Sequence, residues 1–113
     1  MSSLFDGISV ARYALDLAGI PVKNYYSVEI EKNAISISKN NYPSLVRFGS
    51  VVDFCGNMIN EPIDILIGGS PCQDLSIAKK NRKGLQGERS GLFWEYVRIM
   101  NEVKPKWFIL ENV

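Results

Sequence analysis

Ile63-Asp64-Ile65-Leu66-Ile67-Gly68-Gly69 decides the fold, because it sets four aliphatic side chains around one aspartate and stops on a glycine pair. A run this short and this apolar reads as a strand buried on both faces, which is how strands of parallel sheets are written. Three more strand signals lie upstream. Ser3-Leu4-Phe5 ends at Asp6-Gly7, and Val10, Ala11, Ala14, Leu15 and Ala18 then recur at helical spacing as far as Gly19. Asn24 to Ile30 is rich in aromatic and β-branched residues, and a helical pattern through Ala34, Ile35 and Ile37 follows it, stopping before Pro43. Val46-Arg47-Phe48 meets Gly49, and a brief helix or turn is expected over Phe54 to Met58.

Downstream, residues 70–91 are polar and glycine-punctuated, longer than an ordinary connection needs, and loops of that kind are where chemistry is usually placed. Leu92, Phe93, Tyr96, Val97, Met100 and Val103 then mark an amphipathic helix, with Phe93 and Tyr96 read as core packing. After Pro105 comes a last strand, Trp107-Phe108-Ile109-Leu110. Strands alternating with helices predict an α/β chain, a doubly wound parallel sheet of five strands in a single domain over residues 1–113.

Composition narrows the chemistry. Of 113 residues 46% are hydrophobic, enough for a packed core, and a net charge of +1 leaves any nucleic-acid contact to local clustering. Histidine is absent and there are two cysteines, Cys55 and Cys72, so neither histidine catalysis nor a four-thiolate zinc site can be built, and no metal is expected. No apolar run is long enough to span a bilayer and the first residues lack a signal segment; the expectation is a cytoplasmic protein with reduced thiols and no membrane partner.

In a parallel sheet the carboxyl ends of all strands share one rim, and there the sequence places Asp6 and Gly7, Glu29, Ser50, Cys72 and Glu111. The turn at Gly7 can bring backbone amides to a ligand, yet it lacks the glycine spacing of a dinucleotide fingerprint and the lysine of a phosphate loop. Glu29 either accepts hydrogen bonds from ribose hydroxyls or stands as a solvated carboxylate. Cys72, just beyond a buried strand in a loop of small residues, is placed as a reactive thiol, whereas Cys55 beside Phe54 fits an inert one.

Leu4-Phe5-Asp6-Gly7-Ile8-Ser9, Val28-Glu29-Ile30, Gly68-Gly69-Ser70-Pro71-Cys72-Gln73-Asp74-Leu75-Ser76 and Glu111-Asn112-Val113, in that order, resemble the amino-terminal part of the C5-cytosine DNA methyltransferases of phage, bacterial and de novo animal type. The resemblance implies a class I methyltransferase sheet and a methyl group carried from S-adenosylmethionine to C5 of a cytosine flipped out of double-stranded DNA. It casts Cys72 as the thiolate that adds to C6 and Glu111 as the carboxyl that engages N3 and the exocyclic amine. Phe5 would pack on the adenine, the backbone of Asp6, Gly7 and Ile8 would approach the methionine end, and Glu29 would hold the ribose. Ile30, Val51, Pro71 and Leu92 would complete the cofactor pocket. Ser50 stands where the family commonly carries aspartate, so its hydrogen bond to the adenine amino group would be weaker.

Between Ala78 and Ser90 lie Lys79, Lys80, Arg82, Lys83 and Arg89, opposed by Glu88 alone, and they are read as phosphate contacts rather than a solvated face. Gln73 and Ser76 would meet the target nucleotide or its backbone. Against the family pattern the later strands and the target-recognition region are absent, about half a catalytic domain. The fifth strand should therefore have an open edge, covered by a second copy, a complementing polypeptide or rearranged chain. Two functions follow: a methyltransferase subunit or fragment active when completed, or a catalytically incompetent remnant that binds cofactor or partner. An enzyme of this type acting on transfer RNA is a third reading.

Overall fold

Three-residue pieces of extended chain are too short to be stable alone, and they are held here by pairing side by side. In the computed structural model, which describes residues 1–69 and 90–111, β1 is Ser2–Leu4, β2 Tyr26–Val28, β3 Val46–Phe48, β4 Ile65–Gly68 and β5 Trp107–Leu110. All pairs are parallel and the order is β3-β2-β1-β4-β5. The fold is thus the expected five-stranded α/β sheet. The chain reverses its winding between β1 and β4, and in such sheets the crevice at the carboxyl ends beside the reversal is where ligands bind. The helices are α1 (Val10–Leu17), α2 (Lys32–Asn41) and α3 (Ser90–Val103), with a 3-10 turn at Gly56–Met58 where a brief helix was expected.

Alternation along the strands separates two faces. Leu4, Val28 and Leu66 point to the face covered by α3 and the 3-10 turn, and form a buried cluster with Phe54, Ile63, Tyr96 and Ile99. The Tyr96 hydroxyl donates to the carbonyls of Leu66 (3.3 Å) and Ile109 (3.0 Å), so the ring is buried without an orphaned polar atom. Gly68 is required beneath it, since a Cβ there would sit 2.7 Å from the Tyr96 ring. Ser27 points to the other face, towards α1 and α2.

β4 departs from the expectation of burial on both faces: Leu66 and Gly68 are buried, but Ile65 and Ile67 are half-buried. They share their face with their register partners Trp107 and Ile109, and every residue of β5 is exposed, from Leu110 at 37% to Trp107 at 70%. α1 likewise leaves Val10, Tyr13 and Leu17 exposed at helical spacing. Apolar content records what a strand can bury, and the described neighbours determine what it does bury.

α3 is tied to the 3-10 turn by Glu102, which accepts from the Gly56 amide at 2.7 Å and from Arg98 Nη1 at 2.9 Å. Arg98 Nη2 also donates to the carbonyls of Val51 and Phe54. The Gly56 amide, and after it Arg98, hold the Glu102 carboxyl below its ordinary 4.5. A lowered folded-state value adds stability that is present above pH 4.5 and is lost as the pH falls through the folded value. Glu102→Gln should therefore be less stable than wild type above pH 4.5 and show a shallower acid limb in stability-versus-pH curves from urea titration, the two curves converging as the pH falls below 4.5.

Candidate active site

The first loop is built around an unusual backbone. Phe5 leaves β1 with φ 55°, Gly7 follows at 61° and Ser9 at 69°, so two non-glycine residues sit in the left-handed region. Each costs energy and persists only where the surroundings over-determine it. Asp6 supplies that determination. It is buried, and its carboxylate accepts from Tyr25 (2.6 Å), Ser27 (2.6 Å) and Ser9 (2.5 Å), while its amide donates to the Val28 carbonyl. Ser9, so engaged, precedes α1 without capping it by its side chain.

Beyond the ends of β1, β2 and β3 this loop helps enclose a cavity of about 270 Å³, lined by Phe5, Val28, Glu29, Ile30, Gly49, Ser50, Val51 and Leu92. Its walls are mainly apolar, with one fixed carboxylate. Glu29 accepts from the Gly7 amide at 2.6 Å and from the amides of Ile30 and Glu31 at 3.0 Å each, a nest of three donors that holds the side chain at the rim with a lone pair still free. Ser50 accepts from the Val52 amide at 3.2 Å and keeps its own proton to donate.

Six residues named from sequence as cofactor contacts, Phe5, Glu29, Ile30, Ser50, Val51 and Leu92, thus line one cavity. Asp6, Gly7 and Ile8 are not among its walls: Asp6 faces inward, Gly7 is joined to Glu29, and Ile8 is exposed beside Ser9, Tyr13 and Tyr42. Val28 and Gly49 line the cavity and were not singled out. Strand alternation gives the signal for Val28, whose side chain shares a face with Leu4; Gly49 offers backbone only.

Glu111 follows β5 with its amide on the Gly68 carbonyl at 2.9 Å. Its carboxylate folds over Gly69, where an added Cβ would come within 2.8 Å of Oε2. Pro71, Cys72, Gln73, Ser76, Lys79, Lys80, Arg82, Lys83 and Arg89 lie outside the described residues. Cys55 is a half-buried free thiol. At the opposite ends of the strands Tyr26 and Asn24 donate to Glu61 and hold its carboxyl below the ordinary range, which closes the foot of the sheet. Among the described residues no cluster of acidic, cysteine or histidine side chains could hold a metal ion, and no helix is long and apolar enough to cross a membrane.

The C-5 cytosine-specific DNA methylase family matches residues 1–113. The chain belongs to that family. Among curated methylases it is 40% identical over 104 residues to type II methyltransferase M.Sau96I of Staphylococcus aureus, covering 88% of this chain and 24% of that protein. To the orphan methyltransferase M.SPRI of Bacillus phage SPR it is 37% identical, covering 98% of this chain and 25% of the relative. The chain therefore spans about a quarter of the length of these methylases. In fold it is similar to the Dnmt2 methyltransferase of S. pombe, with a TM-score of 0.77 and 24% identity over 99% of this chain and 35% of that one.

Proposed function

We propose that this chain is the cofactor-binding part of a DNA (cytosine-5)-methyltransferase, working through S-adenosylmethionine and a covalent adduct of Cys72. The observation that carries the reading is the Glu111 carboxylate lying over Gly69, three residues before Cys72 in the sequence. The acid thus stands at the end of β5 beside the end of β4, the strand that the Cys72 segment follows in sequence.

The cavity suits an adenosyl group. Apolar surfaces from Phe5, Ile30, Val51 and Leu92 can sandwich a purine, and the anchored Glu29 can accept from vicinal ribose hydroxyls. S-adenosylmethionine, when bound, supplies an electrophilic methyl group. Cytosine C5 is a poor nucleophile until the Cys72 thiolate adds to C6: a sulfur lone pair forms the C–S bond, and the displaced C5=C6 π pair makes C5 an enamine-like nucleophile. Glu111, hydrogen-bonded to N3 and the exocyclic amine, stabilises the charge that this addition develops on the ring. C5 takes the methyl, its proton leaves to solvent, and elimination of Cys72 restores both thiolate and aromatic ring.

Double-stranded DNA is the partner of the cationic segment, with Lys79, Lys80, Arg82, Lys83 and Arg89 on phosphates and Gln73 and Ser76 nearer the target nucleotide. The occupant of the open edge at β5 is the remainder of such a catalytic domain, on the same or a separate polypeptide. Both the coverage of about a quarter of the relatives and the full exposure of β5 argue for it. The test is covalent trapping on duplex DNA containing 5-fluorocytosine, with S-adenosylmethionine and the part of a family member that this chain does not match. An adduct that requires Cys72, formed by a one-to-one complex in sedimentation, is expected. No adduct in that complex would overturn the covalent reading, and a homodimer that excludes the added polypeptide would give β5 to a second copy.

A further inference from the structure

Hydroxyl hydrogen bonds have a direction, and three contacts beneath the first loop fix it. Ser9 gives its single proton to Asp6 Oδ2 at 2.5 Å, so the 2.6 Å contact between the Ser9 and Ser38 hydroxyls must be donated by Ser38. Ser38, fully buried on α2, in turn accepts from Arg47 Nη2 at 2.8 Å. The donors therefore run one way, from a guanidinium on β3 through a hydroxyl of α2 and the hydroxyl ahead of α1 to the carboxylate after β1. Arg47 is itself held in place by the carbonyls of Tyr42 (2.8 Å) and Leu45 (3.1 Å). Among the described residues neither Asp6 nor Arg47 has an ion-pair partner, so a buried carboxylate and its counter-charge communicate only through the two hydroxyls.

We infer that Ser38 and Arg47, which do not line the cavity, are positioning residues for it: the relay from Arg47 to Asp6 holds the left-handed loop that sets Phe5 and, through Gly7, Glu29. The inference rests on the cofactor reading above only for what the cavity binds. A hydroxyl chain with charge at both ends is polarised along its length, which strengthens each bond in it. Phe5 and Gly7 flank Asp6 directly, and the Gly7 amide is the shortest of the three bonds that anchor Glu29. Loosening Asp6 therefore acts on two walls of the cavity at once.

Amide hydrogen exchange and S-adenosylhomocysteine titration of the 113-residue chain test this. In Ser38→Ala the Gly7 amide should exchange roughly tenfold faster while amides of β4 hold their wild-type rates, and the probe's Kd should weaken by a similar factor. Arg47→Met should have the same effect, whereas Arg47→Lys, which keeps a cationic donor, should retain most of the wild-type protection and affinity. A Gly7 amide as protected in Ser38→Ala as in wild type overturns the inference, as does uniform acceleration in every strand. If Ser38→Ala does not fold, Arg47→Met replaces it under the same criteria. Faster Gly7 exchange in a chain whose wild type binds no probe would keep the relay and overturn the cofactor reading; probe binding by wild type with unmoved Gly7 would do the reverse.

Discussion

Replacing Asp6 by alanine should destabilise the chain by about 3 kcal/mol or more. Three hydroxyls, from Tyr25, Ser27 and Ser9, converge on its carboxylate at 2.5–2.6 Å. All three residues are buried, so no water replaces the acceptor, and each orphaned donor costs about 1–3 kcal/mol. A small domain has in total roughly 5–15 kcal/mol, and the left-handed residues Phe5 and Ser9 lose the group that holds them. The urea midpoint should fall steeply. Asp6→Asn should fall between, because its carbonyl can still accept while its amide meets a donor. Tyr25 gives an independent reading: burial first, and then the Asp6 charge, push its hydroxyl far above the usual phenol range. In Asp6→Asn its ultraviolet titration should move down yet stay above 10, since burial remains. Wild-type stability in Asp6→Ala would mean that the loop is held by something else.

The sheet could be read from residues because each strand carries its own punctuation: Gly7, Pro43, Gly49 and Gly68-Gly69 stop elements where the pattern changes. Parallel order and the common rim then followed from alternation of strands and helices. Burial of β4 did not follow, because Ile65 and Ile67 depend on what lies over Trp107 and Ile109, which is a property of neighbours. Strand ends put Glu29 and Ser50 on the rim, but Phe5, Ile30, Val51 and Leu92 were legible only through family resemblance, and spacing alone left Glu29 between a ribose ligand and a solvated carboxylate. Asp6 shows the limit most clearly. Its position after β1 is equally suited to facing a ligand or facing inward, and the choice is made by Tyr25, Ser27 and Ser38, residues far along the chain whose convergence no local pattern announces.

Glu111→Ala, in the completed enzyme, should lower methyl transfer by about 10²–10⁴, the range usual for removing one positioned acid. The loss should fall on kcat, and the rate of adduct formation on 5-fluorocytosine DNA should drop by the same factor. On the proposed mechanism Glu111 acts on the addition of Cys72 to C6, a step that trapping and turnover share. Cofactor affinity should be unchanged, because Glu111 is not among the cavity walls. Gly69→Ala makes a finer probe of the same geometry. Its Cβ would meet Glu111 Oε2 at 2.8 Å, and that oxygen is the free end of an exposed side chain, so it can swing aside at little cost in stability. The fold should be kept while the carboxylate moves, and turnover should fall towards that of Glu111→Ala. Combining the two substitutions should then add almost nothing, because both remove one interaction. Additive losses in the double variant would separate Gly69 from Glu111, and a Glu111→Ala enzyme that traps 5-fluorocytosine at the wild-type rate would remove the carboxylate from the addition step altogether.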